Sequence, residues 1–165
     1  MDLILRPKNA AEAALNWVVD SPFDDFGPRS ADGDISYDLD GSGSMVVDVD
    51  GRAAGSVSWH WRHWGPNAGS RAVMIGIGLQ SAYCGQGIGT RAQRQLVDLL
   101  FTHTTTNRVE AHTDVGNIAE QRALEACGFT KEGVIRGAQW RAGEYRDGFL
   151  YSILRDDWNA NSRQR

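Results

Sequence analysis

Cysteine is scarce in this sequence: its 165 residues include two, Cys84 and Cys127. They fall in different predicted elements, which argues against a disulfide framework and fits a reducing compartment. Long apolar runs are missing too, since none approaches the roughly 20 residues that a membrane span needs. The start, Met1-Asp2-Leu3-Ile4, lacks the basic stretch and apolar run of a secretory leader. A cytoplasmic protein with no membrane partner is the expectation. No basic cluster or stripe is present: the net charge is −4, and Arg163 and Arg165 read as a solvated C-terminal end. Nucleic acid is therefore not expected as a partner. Internal repeats, linkers and low-complexity tracts are absent, so residues 1–165 read as one domain long enough for a full-sized core. With 41% apolar and 23% charged residues, the composition is that of an ordinary soluble domain.

What is present falls into alternating elements. Leu3-Ile4-Leu5 before Arg6-Pro7 reads as a short strand stopped by proline. Residues 9–19 read as a helix, with Ala10, Ala13, Ala14, Trp17 and Val18 on one face. The stretch 20–44 is a long loop rich in Gly, Pro, Ser and Asp. Met45–Val49 and Ala53–Trp61 read as strands joined by Asp50-Gly51, a two-residue hairpin signal. A strand over 72–79 precedes a helix over about 87–102, whose stripe is Ile88, Ala92, Leu96, Leu99 and Leu100. Arg108–Val115 is a strand, and 117–127 is a helix ended by Gly128. Two last strands, near 130–140 and 148–154, meet around Ala142-Gly143. The order is that of one α/β domain, antiparallel first and then strand-helix-strand-helix.

Between the 72–79 strand and the next helix stands Gly85-Gln86-Gly87-Ile88-Gly89. The first amides of a helix lack intrahelical partners and lie at the positive end of its dipole, so this arrangement suits a phosphate. Glycines there let the backbone approach the phosphate oxygens. A P-loop would end in Gly-Lys-Ser/Thr, and Gly89-Thr90-Arg91 does not. A dinucleotide fingerprint would be G-x-G-x-x-G after the first strand, whereas this is G-x-G-x-G in mid-chain.

The run Cys84-Gly85-Gln86-Gly87-Ile88-Gly89 resembles the acetyl-CoA pyrophosphate loop of the GNAT N-acetyltransferases, Gln/Arg-x-x-Gly-x-Gly/Ala. Cys84 stands where that family has Gln or Arg. Asn117 to Phe129 is similar to the next motif of the family, closest to the ribosomal-protein N-terminal acetyltransferase (RimJ/RimL-like) branch. Asp147 to Trp158 resembles that branch's last strand, so the likeness spans roughly residues 72–158. It implies an α/β (α+β) GNAT fold, a mixed and mostly antiparallel twisted sheet flanked by helices, splayed at the acetyl-CoA cleft. The implied coenzyme-binding core is 72–130, with 20–44 on the acceptor side. Acetyl-CoA is implied as co-substrate, an amine as acceptor, and no metal. The residues carried over for coenzyme binding are Leu79, Gly85, Gln86, Gly87, Ile88, Gly89, Thr90 and Asn117. A backbone amide on the preceding strand, from Leu79 or Gln80, would hold the thioester carbonyl. Asn117 also reads as a helix N-cap, with Glu120 closing a capping box. The family's usual acids are missing: Glu120 sits where the branch has Ser, and Leu124 where other members have Tyr.

An amine of pKa near 10 must lose a proton before it attacks a thioester. On the strand over 109–115, Val109, Ala111, Thr113 and Val115 share one face, and Glu110, His112 and Asp114 the other. A central strand is normally apolar on both faces, so the polar one marks either a cleft or a solvated edge. His112 is the candidate base, with Glu110 in reserve. The loop 20–40 carries seven aspartates (Asp20, Asp24, Asp25, Asp32, Asp34, Asp38 and Asp40) against Arg29, which would favour a cationic acceptor or simply be solvated. Trp59, Trp61 and Trp64 are core residues or an aromatic wall for the ammonium. His60 and His63 lack the companions a metal site needs. The reading is an N-acetyltransferase acting by direct attack in a ternary complex, on a protein N-terminal amine or a small cation. The alternatives are a catalytically inactive acyl-CoA-binding module and a nucleotide-binding domain. A homodimer is left open.

Overall fold

Strand pairing follows the turn chemistry. A computed structural model describes residues 1–13, 21–23, 25–26 and 39–163. The described residues form seven strands: β1 (Leu3–Arg6), β2 (Gly43–Val49), β3 (Arg52–His63), β4 (Arg71–Leu79), β5 (Arg108–Asp114), β6 (Thr130–Arg141) and β7 (Glu144–Leu154). They form one sheet in the order β1-β2-β3-β4-β5-β7-β6. At the β2–β3 turn, Asp50 and Gly51 have φ of 51° and 80°, and at the β6–β7 turn Ala142 and Gly143 have φ of 51° and 80°. Two successive positive φ values match the right-handed twist of the paired strands.

The helices among the described residues are α1 (Ala10–Ala13), α2 (Ile88–His103), α3 (Ile118–Ala126) and α4 (Arg155–Ser162). The rest of the expected 9–19 helix, with Ala14, Trp17 and Val18, lies outside the described residues, as do Asp20, Asp24, Arg29, Asp32, Asp34 and Asp38 of the acidic loop. The core packs Val57, Trp59, Ile75, Val109, Ala111, Tyr151 and Ile153 of the sheet with Ile88, Leu96, Leu100 and Phe101 of α2 and Leu124 of α3. Burying each such large side chain contributes roughly 1.5–3 kcal/mol before entropy is counted. No helix among the described residues is long and apolar enough to cross a membrane.

Two boundaries differ from the sequence expectation. β7 starts at Glu144 rather than 148, because the hairpin zips down to its two-residue turn. Trp158, expected near the end of the last strand, stands in α4. The strand ends where Asp157 accepts the Leu154 N–H at 3.0 Å. Arg155 then donates to the carbonyls of Phe101, Thr104 and Thr106, closing the C-terminus of α2. Trp158 stacks on Phe101 at 5.3 Å and donates to Asp98 at 2.6 Å. Its apolar bulk serves helix packing, which a strand pattern does not distinguish.

The central pair, β4 and β5, is the parallel one. It is registered at Val73–Val109, Met74–Glu110 and Ile75–Ala111. Beyond Ile75, β4 stays paired with β3 up to Leu79, and beyond Ala111, β5 stays paired with β7. The sheet therefore splits into a wedge between Gly76–Leu79 and His112–Asp114.

Candidate functional site

Backbone geometry defines the β4 side of the wedge. Gln80 donates its N–H to the Ala54 carbonyl at 2.9 Å. Amides of an antiparallel strand alternate in direction, so those of Ile77 and Leu79 point to the opposite edge, into the wedge. Of the two amides considered for a carbonyl, that of Gln80 is thus engaged, and that of Leu79 faces the opening. After a short turn at Ser81–Tyr83, the chain enters the glycine loop, where Gly85 and Gly87 take φ of +73° and +74°. Positive φ is the reason for glycine at both positions, since a Cβ there would meet nothing within 4 Å. Gly87 is the N-cap of α2 and supplies no side-chain cap, and the first helical hydrogen bond is from Arg91 to the Gly87 carbonyl. The amides of residues 88–90 are left without helical partners.

A cavity of about 700 Å³ runs from this loop along the wedge. Leu79, Gly85, Gly87, Gly89, Thr90 and Asn117 line it. Two other sequence-predicted residues do not. Gln86 folds back to donate to the Ala82 carbonyl at 2.7 Å, and the Ile88 side chain is in the core, so what either can offer a ligand is its backbone. Cys84 also lines the cavity and is exposed.

The far side of the wedge is built by the turn from β5 into α3. Asp114 accepts from the Gly116 N–H at 2.7 Å and is ion-paired with buried Arg141 of β6. Arg141 also donates to the Pro22 carbonyl at 2.6 Å, and its guanidinium lies 5.3 Å from the Phe23 ring. One buried cation thereby holds the 21–23 segment over the cleft. Asn117 caps α3 by accepting the Glu120 N–H at 3.2 Å. The expected reciprocal half of a capping box is not formed: the Glu120 carboxylate turns away to Gln93 of α2, whose Nε2 donates to Oε2 at 3.3 Å.

A second cavity of about 150 Å³ adjoins the first, lined by Phe23, Phe26, Ile77, His112, Asn117, Glu120 and Gln139 among others. His112 reaches it because β7 has glycine beside the ring. A Cβ at Gly148 would sit 2.0 Å from Nε2. Nε2 is buried without a hydrogen-bond partner among the described residues. Burial holds the imidazole below its ordinary pKa, the charge of Arg62 adds to this, and Asp114 opposes it. His112 is therefore neutral at neutral pH, with an unused nitrogen.

Glu110, the reserve base, is placed elsewhere. It is fully buried, its Oε1 receives Arg108 at 2.5 Å and the Trp64 indole at 2.7 Å, and it lines neither wedge cavity. The polar face of β5 is thus neither a solvated edge nor wholly a cleft: Glu110 is ion-paired away from the wedge, Asp114 is ion-paired at the wall of the second cavity, and His112 lines that cavity without a counter-ion among the described residues. Glu120, which the sequence assigns only to a capping box, lines both cavities. Burial pushes its carboxyl up to about 7, only partly offset by the Gln93 hydrogen bond. A glutamate one turn before a core leucine, on a helix facing a glycine loop, was the available signal.

Trp59, Trp61 and Trp64 line neither wedge cavity. Trp59 is core, Trp61 donates to the Leu39 carbonyl beneath Arg71, and Trp64 serves Glu110. Phe23 and Phe26 are the aromatic residues at the second cavity. Among the described residues no group of three or more His, Cys, Asp or Glu is placed to hold a metal.

Comparison with known proteins bears on the same geometry. The family model described as an acetyltransferase (GNAT) domain matches residues 3–130. The Probable N-acetyltransferase YjcK of Bacillus subtilis is 36% identical over 87 residues, 53% of this chain and 48% of its own length. The chain spans about half the length of the curated relatives it matches. The ribosomal-protein-S5-alanine acetyltransferase of Vibrio fischeri superposes with a TM-score of 0.63 at 30% identity, covering 71% of this chain and 63% of that one. A microcin C7 self-immunity acetyltransferase in complex with acetyl-CoA and AMP gives 0.62 at 26% identity, covering 70% and 62%.

Proposed function

We propose that this chain, which belongs to the GNAT acetyltransferase family and resembles its RimJ/RimL-like branch, moves the acetyl group of acetyl-CoA to a primary amine by direct attack in a ternary complex. The observation that carries this reading is the wedge itself. It has unpartnered amides and a left-handed glycine loop at one mouth, and at the other a smaller cavity lined by His112, whose Nε2 has no partner among the described residues. A pyrophosphate fits the positive mouth of α2. From there the length of the wedge carries the thioester to the Leu79 amide, which donates to the carbonyl oxygen as charge builds on it. The amine enters the second cavity, where neutral His112 accepts its proton. Holding both reactants in one split of the sheet supplies proximity.

The acceptor class is a protein N-terminal amine or a small cationic amine, and a thiol-release assay over N-terminal peptides and polyamines decides between them. Gly87→Glu places a side chain at a left-handed position in front of the α2 amides. It should weaken acetyl-CoA binding by more than about 10³-fold, scaled on the loss of several charge-assisted bonds. Calorimetry with acetyl-CoA checks this, and intact affinity refutes the loop assignment. Coenzyme binding without turnover on any amine would instead make the chain a binding module.

A further inference from the structure

Collapse of the tetrahedral adduct leaves a thiolate that needs a proton. Leu124, where other members of the family carry a tyrosine, is fully buried in the core and can supply none. We propose that the Glu120 carboxyl is the proton donor to the departing thiolate, so that base and acid are separate groups, His112 and Glu120. This rests on the acetyltransferase reading above.

Placement carries the inference. Four residues line both cavities, Phe23, Ile77, Asn117 and Glu120, and Glu120 is the ionisable one among them. The junction of the two cavities is where thioester and amine must meet. The carboxyl is held there from two sides: the Asn117 cap fixes its backbone, and Gln93, 1% exposed, fixes Oε2. Oε1 has no partner among the described residues. Among the described residues no cation pairs with Glu120, unlike Glu110 and Asp114. Among the described residues, the groups facing it are uncharged Gln93 from α2, Ile77 from β4, and Phe23 and Phe26 from the chain before β2. From β5 come His112 and Asp114, the latter neutralised by Arg141 of β6, and α3 itself adds Arg122 at the wall of the large cavity.

The step balances. The amine lone pair forms the C–N bond at the thioester carbonyl, and the proton the nitrogen sheds goes to the His112 imidazole. The C–S bond breaks with its electron pair on sulfur, and the Glu120 proton moves to that sulfur. The products are amide and free thiol, with imidazolium and carboxylate resetting through solvent. Burial has moved the two groups in the required directions, the imidazole down and the carboxyl up to about 7. Near neutrality a deprotonated base and a protonated acid therefore coexist. A carboxyl titrating near 7 is a competent donor to a thiolate whose conjugate pKa is about 8.5.

The test compares wild type with Glu120→Gln and Glu120→Asp, reading acetyl-CoA affinity by calorimetry and kcat against pH with the best amine of the panel. The expected result is unchanged affinity in Glu120→Gln, kcat lower by about 10²-fold, and loss of the alkaline limb near pH 7. Glu120→Asp should keep that limb and recover part of the rate. Wild-type kcat with the alkaline limb intact in Glu120→Gln overturns the proposal. So does loss of the acid limb instead, which would make Glu120 the base. If wild type itself neither binds acetyl-CoA nor turns over any amine, the acetyltransferase reading falls and takes this proposal with it.

Discussion

At the Arg108 end of β5, a cavity of about 420 Å³ is lined by Trp64, Arg71, Arg108 and Glu132. There Arg108 is bracketed by two carboxylates, Glu110 at 2.5 Å and Glu132 at 2.5 Å. Its hydrogen bond to Glu132 holds that carboxyl down at about 2. At the Asn117 end, the wedge holds an imidazole nitrogen and a carboxyl that have, among the described residues, no partner and no cation respectively. Both ends are concave and both bury acidic groups, so shape does not separate them. Pairing does. Where each buried charge has its counter-ion, the strand is being held; where burial is left uncompensated, protonation states are poised for chemistry.

The comparison breaks first at Glu110. Glu110→Ala leaves Arg108 with one carboxylate and opens a buried site, and should cost about 3 kcal/mol, near the low end for a broken buried pair because Glu132 still holds the guanidinium. Urea unfolding measures it. The folded variant should keep the wild-type pH profile. A stable Glu110→Ala protein whose profile has moved would mean that the paired end also takes part in the chemistry.

His112→Gln probes the other end. It should lower kcat by about 10²-fold, or about 2.7 kcal/mol at 1.36 kcal/mol per decade, and abolish the acid limb. A base works in its neutral form, and burial has lowered this imidazole from 6.5, so wild-type activity should persist below pH 6.5 before it falls. An unchanged acid limb in the variant would move the base elsewhere.

What was legible beforehand follows from range. Asp50-Gly51, the glycine loop and the Asn117 cap are read from adjacent residues, and they recur in the structure as positive-φ turns, an uncapped helix start and a capped one. The family likeness added the splayed sheet, which no single strand announces. The fate of the polar face on β5 was not legible. Glu110 meets Arg108 two residues away on its own strand, yet also Trp64, 46 positions earlier, and Asp114 meets Arg141, 27 later. Glu120 looked like the other half of a cap because its spacing from Asn117 allows one. Tertiary packing sends its carboxylate toward Gln93, and only the fold reveals that this leaves it half-buried with its pKa raised.

The smallest effect is the most pointed, because it needs no substrate. If the wedge leaves Glu120 uncompensated, the folded state should be strained once that carboxyl ionises. Folded, the group keeps its proton up to about 7; unfolded, it loses it near 4.5. Between those values the folded state holds more protons, so stability falls as pH rises across the window and stays reduced above it. Glu120→Gln removes the ionisation and keeps the shape. The variant should exceed wild type by about 2 kcal/mol at about pH 8, discounted from the full shift for the part of the group that meets solvent, and match it at about pH 4. Urea midpoints at the two pH values read the difference directly. Equal stability at the higher pH would mean that the carboxylate is well solvated or paired, and the contrast between the two ends of β5 would then lose its physical basis.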